Sequence, residues 1–382
     1  MQKKEIIKPN YNHSILNLIT SILKYYHVET KYNEIPKLAE KMKTKYTNIV
    51  LIILDGMGEH ILQKISPEGF FANNEKDQIT SVFPSTTTAA ITTYYSGKPP
   101  IETGWIAMSQ YFKEYGRAIE MLREKDSYTG ETIQNARMNV FDLVKYTPIY
   151  EQIEKASPNV KAYEINPTYC RARSKRNINA DNIELLCDSI KAICENEDEN
   201  FILAYSDKPD TLLHKYGSES EEVRQFITDA EKYIEELYKE LKDTNTLMII
   251  SADHGHKDIE KVYSILDMKE IQECLIMPPS LESRAVTFWV KEEKKEQFEN
   301  FFNTQLKGEF ALYTKDELLA NNFLGYGEKH PKIDDFLGNY IAIAIGSSII
   351  KLETNISKIK ANKKSTHCGL TPEEMEVPLI FM

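Results

Sequence analysis

The run Asn48-Ile-Val-Leu-Ile-Ile-Leu-Asp55-Gly56 decides the fold class. Six apolar residues stand in an unbroken row from Ile49 to Leu54. That is far below the ~20 needed to span a bilayer. It has the length and β-branched content of a strand buried on both faces, and Asp-Gly closes it as a turn. Two later segments follow the same plan. Residues 201–205 (FILAY) read as a strand that leads to Pro209-Asp210, and residues 246–251 (TLMIIS) as one that runs into Ala252-Asp253-His254-Gly255-His256.

Helical patterns fall between these strands. Residues 14–26 place Ile15, Leu16, Ile19, Ile22 and Leu23 on one face. Residues 80–97 (TSVFPSTTTAAITTYYSG) read as a strand, a Pro-Ser turn and a helix that Gly97 caps. Residues 148–156 read as a short helix and 159–165 as the strand after it. Residues 218–243 repeat apolar residues at three and four, with Ser218 and Glu221 spaced as a capping box. Strands that alternate with helices predict an α/β fold, a mostly parallel sheet with helices on both faces. The texture changes after Pro278-Pro279: 284–291 and 310–313 read as strands, with a charged helix over 292–306. The expected organisation is a core over residues 1–262, an inserted smaller α+β subdomain over 263–321, and a returning core segment over 322–382. In that segment, 340–345 (YIAIAI) reads as a core strand.

Composition narrows the function classes. In the 382 residues, 47 Lys and Arg stand against 58 Asp and Glu, a formal net charge of −11. A nucleic-acid polymer as partner is thereby disfavoured, because that binding needs a basic footprint. The five cysteines are scattered without a C-x-x-C, as reduced thiols of a cytoplasmic protein would be. The first residues, Met1-Gln-Lys-Lys-Glu-Ile-Ile-Lys-Pro9, lack the apolar core of a secretory signal. No membrane partner is expected, and oligomeric state is not legible.

In open α/β sheets, ligands bind beyond the carboxyl ends of the strands. Asp55, Asp210 with His214, and Asp253 with His254 fall at such ends, and His367 lies in a polar loop near the end of the sequence. Each has a bland alternative when taken alone: a turn, a helix cap or a surface histidine. Carboxylate and neutral imidazole together suit zinc, and mixed N/O sets are typical of catalytic sites. Thr86, Thr87 and Thr88 sit where a strand turns into a helix. A hydroxyl there faces free backbone N–H groups and the positive end of the helix dipole, which favours anions.

These segments resemble the alkaline phosphatase superfamily, and within it the type I phosphodiesterase/nucleotide pyrophosphatase branch. The family pattern V-F-P-x-x-T, then nine residues, then Gly is met from Val82 to Gly97. That match assigns the nucleophile to Thr87. The pattern Y-x-x-x-P-D-x-x-x-H-x-x-G is met by Tyr205, Pro209, Asp210, His214 and Gly217, and D-H-G by Asp253, His254 and Gly255. The resemblance implies two divalent cations, zinc foremost and manganese as the alternative. Asp210, His214 and His367 would hold one, and Asp55, Asp253 and His254 with Thr87 the other. It implies in-line attack by Thr87 on phosphorus, a covalent threonine intermediate and hydrolysis by water. The substrate expected is a small phosphoester with a diester or pyrophosphate linkage. The alternatives are a phosphomonoester or phosphonate hydrolase, or a catalytically weak metal-binding protein of this fold.

Two family groups that touch substrate are missing. Thr88 stands where the family has Phe, and Met108 aligns with its Asn donor. Tyr205, Met108 and Arg284 remain as candidates for contact with substrate, Arg284 by bidentate binding of phosphate from the inserted segment; the alternatives are a strand-end core aromatic for Tyr205 and an interdomain salt bridge for Arg284. His256 reads as an exposed or structural residue, with support of a neighbouring metal ligand as the alternative.

Overall fold

The computed structural model describes residues 5–133, 139–352 and 363–382. Four residues of the charged N-terminal segment, 1–4, and part of the returning segment, 353–362, lie outside the described residues.

A central seven-stranded sheet runs in the order Glu75–Thr80, Glu376–Phe381, Thr246–Ser251, Asn48–Leu54, Glu199–Ser206, Val160–Asn166 and Asn177–Asn179. Every residue of the Asn48–Leu54 strand is buried, as its continuous apolar run requires. It pairs in parallel with Glu199–Ser206 on one side and Thr246–Ser251 on the other. Glu376–Phe381 alone runs antiparallel to its neighbours. The helices fall into two groups: Thr87–Ser96 touches both Ile15–Tyr25 and Ile149–Ala156, and Glu221–Glu240 touches both Ile183–Cys194 and Asp210–Tyr216. The sheet and these helices share one apolar core. The architecture is a mixed α/β fold with a large, mostly parallel sheet.

A second seven-stranded sheet, antiparallel throughout, has the order Phe310–Thr314, Tyr340–Ala344, Ala285–Phe288, Ser280–Glu282, Ser109–Phe112, Arg117–Glu120 and Lys125–Asp126. Its membership corrects the expected boundaries. Three of its strands come from residues 109–126, and Tyr340–Ala344 belongs to it and not to the central sheet. The reason is burial on both faces. Ile341 and Ile343 enter one apolar cluster, while Tyr340, Ala342 and Ala344 enter another, so an antiparallel strand carries the unbroken apolar pattern of a parallel one.

Two local readings also change. The strand expected to begin at Thr80 ends there; it spans the polar Glu75–Thr80, and residues 81–86 form the turn into the Thr87–Ser96 helix. The long helix starts at Glu221 and is capped by Ser220 instead of Ser218. Ser218 instead donates its N–H and hydroxyl to the Asp258 carboxylate, at 3.0 and 2.6 Å.

Candidate active site

The site is assembled at the carboxyl ends of three adjacent parallel strands. Leu54 lies level with Ser206, and Ile53 with Ser251. The chain therefore leaves the sheet at one height at Asp55, ahead of Asp210, and at Asp253. Asp55 N–H donates to Ser206 O at 3.0 Å, and Asp210 N–H donates to Asp55 O at 2.8 Å. Gly56 makes the turn with φ +75°, and a Cβ there would stand 3.0 Å from both the Asp210 Cα and the His256 Cδ2. Only glycine allows that approach without strain.

Asp55, Asp253 and His254 converge so that one ligand atom of each lies within 4.8 Å of the others. His254 Nε2 is 3.3 Å from Asp253 Oδ2 and 3.5 Å from Asp55 Oδ1. Thr87 opens its helix beside them, with Oγ1 3.2 Å from His254 Nε2 and 3.4 Å from Asp55 Oδ2. Beside this group stand Asp210, His254, His256 and His367, again within 4.8 Å of one another. His367 stacks on His254 with ring centroids 3.8 Å apart. His214 Nε2 lies 3.4 Å from Asp210 Oδ1 and 2.9 Å from the Lys363 ammonium. The structure thus gathers all seven predicted catalytic and metal residues.

The electrostatics fit cations. Burial pushes the Asp55 carboxyl well up from its usual range, and Asp253 and Asp210 nearby add to the rise. Burial also raises Asp253. Burial would raise Asp210 as well, but His214, His256 and His367 pull it well below the usual range. Burial lowers His214, His256 and His367, His256 to about 3, so these rings are neutral and available as donors. Two buried oxygens, Asp55 Oδ1 and Asp253 Oδ2, have no hydrogen-bond partner among the described residues. Buried polar atoms left unpaired are costly. Oxygens orphaned inside a carboxylate–imidazole cluster have the chemistry of a divalent-cation site.

Three expectations are corrected. Arg284 does not reach substrate: it is fully buried. Nε and Nη2 clasp Glu374 at 2.6 and 2.7 Å, while Nη1 and Nη2 donate to Ser348 O and Gly346 O. Tyr205 is buried and turns its hydroxyl inward to donate to Asp55 Oδ2, so it shapes the carboxylate–imidazole cluster instead of facing a ligand. His256 is buried, not exposed. Its Nε2 is 2.6 Å from Asp210 Oδ1 and its Nδ1 3.0 Å from Ser365 Oγ. The signal for it was the D-H-G-H spacing, which puts a second ring on the turn that carries His254.

Met108 does stand at the mouth. It lines a cavity of about 280 Å³ together with His367, Glu282, Lys363, Tyr128 and Leu281. Glu282, from the second sheet, accepts from Thr86 Oγ1 at 3.1 Å and from Met108 N–H at 2.6 Å.

The family model of type I phosphodiesterase/nucleotide pyrophosphatase matches residues 49–335. The chain belongs to that family. Its members are phosphoric ester hydrolases, and this phosphodiesterase-family chain is a phosphoester hydrolase of the same type. Its fold is similar to murine ectonucleotide pyrophosphatase/phosphodiesterase 5, with 18% identity over 87% of each chain and a TM-score of 0.63. The human counterpart gives 16% identity over 87% of each chain and a TM-score of 0.61. Phosphonoacetate hydrolase from Sinorhizobium meliloti 1021, in complex with phosphonoformate, gives 15% over 87% of this phosphodiesterase-family chain and 89% of that one, with a TM-score of 0.64. No curated protein sequence matches it. Among its described residues, no helix is long and apolar enough to cross a membrane.

Proposed function

We propose that this protein hydrolyses small phosphodiester or pyrophosphate linkages through Thr87, at a site for two divalent cations, zinc foremost. The observation that carries the reading is the convergence of Thr87 Oγ1 with Asp55 and His254, where two buried carboxylate oxygens have no hydrogen-bond partner among the described residues. Asp210, His214 and His367 would hold one cation, with His256 against Asp210. Asp55, Asp253 and His254 with Thr87 would hold the other. Two bound cations supply Lewis acidity toward phosphoryl oxygens and lower the pKa of a neighbouring hydroxyl.

The chain's own residues do the rest. The Thr87–Ser96 helix presents Oγ1 at its first residue, where free N–H groups favour an anionic phosphoryl group. Thr86, at the preceding position, is anchored through its hydroxyl to Glu282, which fixes the turn. Thr87 Oγ attacks phosphorus, the bond to the leaving oxygen breaks, and that oxygen departs as the alcohol or phosphate. Water then cleaves the Thr87–phosphorus bond and restores the hydroxyl. Tyr205 and His256 orient Asp55 and Asp210 by hydrogen bonds.

The test compares bis-p-nitrophenyl phosphate with p-nitrophenyl phosphate, with and without zinc. Zinc-dependent turnover with the diester faster supports the reading, and a faster monoester overturns the diesterase preference. No turnover of either by zinc-loaded protein favours a binding role. A location in the cytoplasm is proposed on the five free cysteines and the net charge.

A further inference from the structure

The hydrolase reading leaves one acidic residue at the nucleophile turn without a role beyond support. Glu282 comes from the second sheet, yet its carboxylate reaches across to the turn before Thr87. Oε1 takes two donors, Thr86 Oγ1 and Met108 N–H, so the group is held in place. The side chain is half-buried and lines the cavity that His367 of the cation cluster also lines. Leu281, just before it, has φ +77°, a conformation that a branched side chain rarely adopts. Its pairing with both Val286 and Ser109 holds it there. Strain of this kind persists where the surroundings over-determine it, and it clusters at working sites. The Ser280–Glu282 strand therefore aims a carboxylate at the space before the nucleophile, at the mouth where Met108 offers no side-chain donor.

We propose that Glu282 is a specificity residue that selects singly charged phosphodiesters against doubly charged phosphomonoesters at the Thr87 centre. The inference rests on the hydrolase reading. A negative charge held beside the phosphoryl position opposes each additional charge on the substrate. The other charged residues lining the cavity are Glu120, Lys351 and Lys363. Lys363 stands against His214, and Glu282 is the one that is hydrogen-bonded to the turn before the nucleophile.

Glu282→Gln removes the charge and keeps an acceptor for Thr86 and Met108. With zinc-loaded protein, the monoester-to-diester ratio of kcat/KM on the two nitrophenyl substrates is expected to shift about tenfold toward the monoester. The affinity for inorganic phosphate, read by calorimetry, is expected to rise by a similar factor. Glu282→Asp should return the ratio toward that of the unsubstituted protein. An unchanged ratio, or equal losses on both substrates with unchanged phosphate affinity, overturns the assignment and leaves Glu282 as a brace for the turn. If the unsubstituted protein turns over neither substrate, the hydrolase reading fails instead. Phosphate affinity then decides on Glu282: a rise in Glu282→Gln supports it and no change overturns it.

Discussion

Replacing Arg284 by Met tests how the two sheets are joined. The guanidinium makes four hydrogen bonds between 2.6 and 2.8 Å, two of them to Glu374 and both charge-assisted. Both side chains are fully buried. In Arg284→Met, Glu374 keeps the donors Gly369 N–H at 2.7 Å and Thr371 Oγ1 at 2.8 Å, but it loses its countercharge. A stranded buried charge costs about 3–5 kcal/mol. That is a large share of a typical stability of about 5–15 kcal/mol. Urea unfolding followed by the fluorescence of Trp105 and Trp289 reads the loss. Glu374→Gln in the same chain removes the stranded charge, so the double variant should be less destabilised than the sum of the two single changes. A cost below about 1 kcal/mol for Arg284→Met would refute the buried pairing. So would unchanged stability combined with a higher KM for the diester, which would return Arg284 to the substrate.

Thr87→Ala should abolish turnover and retain most of the zinc, because the six Asp and His donors remain; near-normal rates would reject Thr87 as nucleophile. His256→Gln is expected to weaken zinc binding about 10–100-fold, as loss of a partner that orients a metal ligand does, measured by competition with a chelating dye. Zinc uptake should release protons. Burial and the neighbouring carboxylates raise the Asp55 carboxyl, so protons compete with the cation there and affinity falls as pH drops through that raised value. Calorimetry in buffers of different ionisation enthalpy checks this, and identical apparent heats would contradict it.

The sequence was legible where a residue's role depends on its neighbours in the chain. The Asn48–Leu54 strand and the helix that begins at Thr87 carry local signals of burial and of a turn, and the ligands lie in short motifs just beyond such strands. What escaped depends on distant contacts. Arg284 left a phosphate clamp and an interdomain salt bridge both open, because its partner Glu374 lies 90 residues on and belongs to a different motif. Tyr205 left a substrate-facing and a core reading open because which way a strand-end ring turns is set by Asp55, just beyond the neighbouring strand. His256 read as bland because its neighbour Asp210 arrives from another loop. Tyr340–Ala344 was given to the wrong sheet because an antiparallel strand buried on both faces loses the alternation that marks it.

The antiparallel Glu376–Phe381 strand carries a consequence for biogenesis. It lies between Thr246–Ser251 and Glu75–Thr80, and the latter pairs with no other strand in the sheet. His367 likewise meets Ser85 O across 282 residues of sequence. A chain still emerging from the ribosome can fold the Thr87–Ser96 helix early. It must keep two strand edges open until residue 376 and beyond have been made. Such contacts are slow to close, and open edges invite pairing with other chains. Hydrolytic competence should therefore arrive late and all at once, and the interval before it is when this protein most needs protection from aggregation.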